Sequence, residues 1–85
     1  MAYRYLSETT VMPFHEFRLE GDYVELNLLL KLTGIVASGG EGKHRVADGL
    51  VAVDGVTEMR KTYKVRAGQV VTIGSDEISV LPEVD

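Results

Sequence analysis

The run Ser38-Gly39-Gly40-Glu41-Gly42-Lys43 brings a hydroxyl, three glycines, a carboxylate and an ammonium together in one short stretch. Ser38-x-x-Glu41 is the spacing of a helix start at which the two side chains reciprocally satisfy backbone N–H groups. Gly39 and Gly40 fall at the first helical positions, where amides have no intrahelical partner and the helix dipole is positive. Neither glycine has a side chain to shield those amides. Lys43 follows one turn later, with His44 and Arg45 beside it. Bare amides, a positive dipole and a cation within a turn suit a phosphate. Further along, Arg60-Lys61 and Lys64-Val65-Arg66 add four cations on a segment that reads as a hairpin arm. Glycines used only for tight helix entry would explain the first run without a ligand. Edge-strand cations that block aggregation would explain one or two of the second group, less comfortably all four. A phosphate-rich polymer accounts for both.

Other chemistries lack their residues. A P-loop needs a glycine at position 37 and Ser or Thr after the lysine, but Ala37 and His44 stand there. A dinucleotide fingerprint fails at Arg45, which occupies the third glycine position after Gly40 and Gly42. His15-Glu16 has Leu19 where a zinc protease would place its second histidine. Two histidines, His15 and His44, and no cysteine make a poor metal site and exclude a disulfide framework. No Ser-His-Asp set is available, and paired-carboxylate chemistry needs a cleft that so small a domain rarely encloses. The expectation is a non-catalytic protein with no cofactor, no metal and no small-molecule substrate.

The whole chain carries a formal charge of −4, which by itself would argue against nucleic acid. Its distribution argues otherwise. Residues 1–30 set Arg4 and Arg18 against Glu8, Glu16, Glu20, Asp22 and Glu25, a net −3. Residues 31–66 set Lys31, Lys43, Arg45, Arg60, Lys61, Lys64 and Arg66 against Glu41, Asp48, Asp54 and Glu58, a net +3. Residues 67–85 hold only Asp76, Glu77, Glu83 and Asp85. With a Debye length of about 8 Å in physiological salt, distant acids hardly cancel a local cationic patch.

The elements that must position these groups can be read from periodicity. The 85 residues suit one domain spanning residues 14–82, after an N-terminal extension over 1–13 expected to be flexible, with a tail over 83–85. Phe14–Leu19 alternates as a strand. A first helix is expected over Tyr23–Thr33, capped by Asp22 with Glu25, with Tyr23, Asn27 and Lys31 as its polar stripe and Gly34 as its left-handed end. The second helix runs from the Ser38 cap to about Asp48, anchored by Val46 and Ala47. Leu50–Val53 and Val56–Met59 flank Asp54-Gly55, a two-residue hairpin turn signal. Tyr63–Arg66, Val70–Ile73 and Glu77–Leu81 read as further strands. The class is α+β, two helices packed on a small, mainly antiparallel sheet. No apolar run approaches the roughly 20 residues of a membrane span, and Met1–Pro13 does not read as a signal peptide, so a cytoplasmic protein is expected.

In combination, Glu25-Leu26-Asn27-x-Leu29-Leu30-Lys31, Ser38-Gly39-Gly40-Glu41-x-Lys43, Gly49-x-Val51-x-Val53-Asp54-Gly55-x-x-Glu58-x-Arg60-Lys61 and Lys64-Val65-x-x-Gly68 resemble the RNA-binding domain first defined in ribosomal protein S-four, the alpha-L motif. The likeness covers residues 17 to 80 and is greatest to its small stand-alone bacterial members. It implies a curved sheet carrying two helices, with the second helix start and the following hairpin as the RNA face. The implied contacts are Ser38, Gly39, Gly40, Lys43, Arg60, Lys61 and Lys64. Lys31 and Arg66 extend that set, and Arg45 joins it as a cation of the second helix.

The resemblance also exposes departures. Asp54 stands where Asn is usual, adding a negative charge near the implied face. Gly42 stands where Ala is usual, at an expected cost of up to about 1 kcal/mol in helix stability. Tyr63 stands where small or polar residues are commoner, and is expected to pack in the core rather than stack on a base. The implied partner is structured RNA, ribosomal or transfer RNA, with a ribosomal subunit as the wider assembly and no membrane. The alternative is a protein-interaction module whose acidic segments dock on a basic or ribosomal partner.

Overall fold

A computed structural model describes residues 14–84 of the protein. The elements in chain order are β1 (Phe14–Arg18), β2 (Val24–Glu25), α1 (Leu26–Leu32), α2 (Gly39–Ala47), β3 (Val51–Val53), β4 (Val56–Thr57), β5 (Lys64–Val65), β6 (Val70–Ile73) and β7 (Asp76–Leu81). The expected flexible extension over 1–13 falls outside the described residues.

Five strands form one sheet in the order β1-β7-β6-β3-β4, and β2 and β5 form a separate ribbon. Among the described strands only the β1–β7 pairing is parallel, with Phe14 opposite Glu77 and Arg18 opposite Leu81. The other pairings among these strands are antiparallel. This is the expected α+β class with a mainly antiparallel sheet. Val51, Val53, Val71, Ile73, Ile78 and Val80 alternate inward along the central strands, as period-2 side chains must. Leu26, Leu29 and Leu30 meet them from one face of α1, and Val46 from α2.

Local signals place the second half of the chain well. Asp54 has φ +51° and Gly55 φ +84°, the pair of left-handed residues that a tight hairpin turn needs. The Asp54 carboxylate does not face solvent unpartnered. Its Oδ1 accepts the Val70 N–H at 2.9 Å, while the Asp54 N–H donates to the Val70 carbonyl at 2.8 Å, so the turn is tied to β6. The flanking strands are shorter than their apolar runs: Leu50, Glu58 and Met59 lie outside β3 and β4.

The start of α1 differs from the periodic reading. The helix begins at Leu26, not Tyr23, and neither Asp22 nor Glu25 caps it with a side chain. Its first amides are satisfied from far along the chain. Leu26 N–H donates to the Tyr63 carbonyl at 2.9 Å and Asn27 N–H to the Lys61 carbonyl at 3.1 Å. Val24 and Glu25 are meanwhile drawn into the ribbon with Val65 and Lys64. Long-range backbone pairing has displaced a local cap.

The expected polar stripe fails for a related reason. Asn27 is 4% exposed and faces α2. The helices approach so closely that a Cβ built on Gly42 would lie 2.6 Å from the Asn27 carbonyl oxygen. Glycine at position 42 is therefore a packing requirement and not merely a weakness in the helix. Asn27 Oδ1 is buried without a partner among the described residues, a polar cost accepted at this contact. On the opposite side of α1, Leu32 and Leu28 remain partly in solvent.

Candidate nucleic-acid interface

The start of α2 has the geometry its sequence calls for. Ser38 is the N-cap in extended conformation, and its Oγ accepts the Glu41 N–H at 3.1 Å. Glu41 reaches back one residue further than a strict capping box: its Oε1 accepts the Ala37 N–H at 3.0 Å. Its Oε2 accepts from Arg45 at 2.9 Å. The carboxylate is thus held along the flank of the helix. The amides of Gly39 and Gly40 donate to no other described residue, and they lie at the positive end of the helix dipole.

The linker after β4 meets this helix. Gly40, Lys43, His44 and Ala47 recur at helical spacing on one side of α2, and with Lys61 they line a concavity of about 220 Å³. Lys61 is held there because its carbonyl accepts from Asn27, the residue wedged against Gly42. Arg60, Thr62, Tyr63, Lys64 and Arg66 line a second, open concavity of about 490 Å³. Lys61 belongs to the first hollow, and its chain neighbours Arg60 and Thr62 belong to the second. The two hollows share no lining residue, and consecutive residues of one linker supply cations to both.

Alternation on β5 gives the second hollow its direction. Val65 is buried, whereas Lys64 and Arg66 project outward on the ribbon face opposite to it. Tyr23, the residue before the Val24–Val65 pair, sits beneath both. Lys64 Nζ lies 5.0 Å and the Arg66 guanidinium 5.6 Å from the centre of its ring. These cation–π contacts limit the wandering of two long side chains that would otherwise lose freedom on binding.

Arg60 is held differently. Its Nε and Nη2 donate to the two Glu58 oxygens at 2.9 and 3.0 Å, and its backbone N–H donates to Oε2 at 3.0 Å. These bonds, the guanidinium's first and the backbone N–H's next, hold the Glu58 carboxyl down at about 2, so it is ionised wherever the protein is folded near neutrality. The Arg60 guanidinium is pushed above its ordinary value by the same partner. It lies over the Tyr63 ring, 5.0 Å from its centre.

Of the residues expected at the site, Ser38, Gly39, Gly40, Lys43 and Lys61 come together at the helix start, and Arg60, Lys64 and Arg66 gather along the linker and ribbon. Two stand apart. Arg45 lies roughly 200° around α2 from Lys43 at about 100° per residue, and is engaged with Glu41. Lys31 is exposed in the last turn of α1 and lines neither concavity. Sequence reasoning missed Asn27, Tyr23 and Glu58. Their roles arise from contacts between distant segments, although Glu58-x-Arg60 is itself a spacing at which an acid and an arginine can meet. Among the described residues there is no group of three or more potential metal ligands, and no helix is long and apolar enough to cross a membrane.

Comparison with known proteins shows the family. The family model of the S4 domain matches residues 17–81. The chain belongs to the S4 domain family. The S4 domain here is similar to YbcJ of Escherichia coli strain K12, with 44% identity over 59 residues, 69% of this chain and 84% of that protein. YbcJ of Shigella flexneri matches with the same identity and extent. The solution structure of YbcJ from E. coli, described as revealing an alpha-L motif involved in RNA-binding, superposes with a TM-score of 0.63 at 42% identity, covering 78% of this chain and 85% of that one.

Proposed function

We propose that this protein is a non-catalytic RNA-binding protein that grips structured RNA, ribosomal or transfer RNA, through the α2 start and the cationic linker and ribbon. The observation that carries the reading is the shared surface of α2 and the Lys61 linker. Two helix-start amides without partners among the described residues precede Lys43, and Lys61 arrives from 18 residues further along the chain to line one concavity with Gly40 and Lys43. An anion-sized acceptor fits the amides, and a regular spacing of phosphates suits the cations that continue through Lys64 and Arg66. The membership in the S4 domain family and the RNA-binding description of the YbcJ structure support the same reading.

The RNA backbone supplies most of the affinity in this arrangement, because few groups on the surface are placed to read base edges. A ribosomal subunit in a bacterial cytoplasm is the setting that fits a small domain of this kind. The test is a fluorescence-anisotropy titration against total ribosomal and total transfer RNA at two salt concentrations, with Lys43→Glu/Lys64→Glu as the control. The parent should bind and lose affinity steeply with salt. The double variant should lose binding while melting near the parent temperature. Salt-insensitive binding, or an unaffected double variant, would refute the reading.

A further inference from the structure

Arg60 is built differently from the other cations of this surface. The edge that an arginine normally offers to a phosphate, Nε and one terminal nitrogen, is already engaged by both oxygens of Glu58 at 2.9 and 3.0 Å. The adjacent carboxylate also cancels much of its charge as seen by an approaching phosphate. Yet the side chain is 74% exposed, so it is neither buried nor hidden behind its partner. It lies over the Tyr63 ring. That ring is anchored in turn, being packed against the core, with its hydroxyl accepting from Gln69 Nε2 at 3.1 Å. The product is an oriented planar cation, backed by an aromatic ring and open to solvent, on the wall of a concavity whose other walls include Lys64 and Arg66.

A site for phosphates alone needs neither the ring nor the carboxylate. Planar guanidinium groups and aromatic rings are the surfaces on which unstacked bases settle. We infer that Arg60, backed by Tyr63 and clamped by Glu58, is a stacking platform for one unpaired nucleobase, with Lys64 and Arg66 taking the phosphates on either side. This rests on the RNA-binding reading and narrows it: the ligand is an RNA helix interrupted by a bulged or looped-out nucleotide. Arg60 then contributes shape selectivity and adds little to the salt-dependent attraction.

The test uses the full chain and two blunt RNA duplexes, identical except that one carries a single bulged 2-aminopurine. Affinity is read by anisotropy at low and moderate salt, and stacking by quenching of the 2-aminopurine emission. The parent should bind the bulged duplex about tenfold more tightly and quench it, in line with the usual worth of one stacked base. Arg60→Lys keeps the charge but loses the plane. It should erase the quenching and bring the two duplexes to equal affinity, with the log–log salt slope kept because the charge is kept. Equal binding of both duplexes by the parent would overturn the platform while leaving RNA binding intact. So would an Arg60→Lys protein that retains preference and quenching. An Arg60→Ala protein whose log–log salt slope falls by about 0.7 to 0.9 with both duplexes alike would make Arg60 a phosphate contact, and overturn it too. A parent that binds neither duplex overturns the platform together with the reading beneath it.

Discussion

The carbonyl oxygen of Asn27 occupies the space beside Gly42 so closely that a Cβ there would stand 2.6 Å away. From the same residue, the Asn27 N–H holds the Lys61 carbonyl at 3.1 Å. One buried asparagine thus sets both the distance between the helices and the position of the cationic linker against the start of α2.

Gly42→Ala should therefore destabilise the protein, although alanine is the better helix former by about 1 kcal/mol. The neighbouring atom is backbone and cannot rotate away, so the helices must separate at an overpacking cost of about 1–3 kcal/mol. Denaturant unfolding should show a net loss of up to about 2 kcal/mol and, because Lys61 shifts with Asn27, weaker RNA binding. A rise in the melting temperature would contradict the packing described.

Charge removal should separate the cations by role. Lys43→Ala and Lys61→Ala should each lower the log–log salt slope of RNA binding by about 0.7 to 0.9, the share of one phosphate contact. Arg45→Ala, at the flank with Glu41, should leave that slope unchanged and cost no more than about 1 kcal/mol in stability, as expected for an exposed i,i+4 pair.

The cap and the turn give two contrasting stability effects. Ser38→Ala should cost about 0.5–2 kcal/mol, because the Glu41 amide loses its acceptor. Asp54→Asn should be nearly neutral, since asparagine tolerates the left-handed turn and retains an oxygen for the Val70 N–H. Asp54→Ala loses both features and should be the more damaging change, by about 1–2 kcal/mol in thermal or denaturant melts.

Acid should loosen the linker through Glu58. Its carboxyl is lowered in the folded protein from an ordinary 4.5 to about 2. The folded state therefore binds this proton less readily than the unfolded chain does. The stabilisation is fully present above pH 4.5 and is lost as the pH falls toward 2. Glu58→Gln should flatten the acid limb of a stability–pH curve over that window. It should also free the Arg60 guanidinium, visible as altered Tyr63 fluorescence. An unchanged acid limb would argue that the pair does not persist in solution.

Much of this molecule was legible from local signals. The Ser38 cap, the α2 helix and its Gly49 stop, the Asp54-Gly55 turn and the strands at Val70–Ile73 and up to Leu81 all depend on neighbours in the chain. Short-range rules suffice for them. Hydrophobic alternation likewise put Val65 inside with Lys64 and Arg66 outside. The grouping of cations between residues 31 and 66 marked the α2 start and the linker as the candidate face.

What the sequence by itself determined is the inventory and its local geometry: a bare-amide helix start, a supply of lysines and arginines, and an α+β scaffold to carry them. Only the tertiary structure decided which of those charges share a surface. Tyr23 lies outside the helix because Val24 and Glu25 pair with Val65 and Lys64. Asn27 left the polar stripe because Gly42 lets two backbones touch, and Arg45 was turned aside by Glu41. The Arg45 pair is local, four residues apart on one helix, whereas Tyr23 and Asn27 share one physical reason. A contact between distant segments competes with local preferences worth about 1 kcal/mol each, and it wins when burial and backbone hydrogen bonds are gained together.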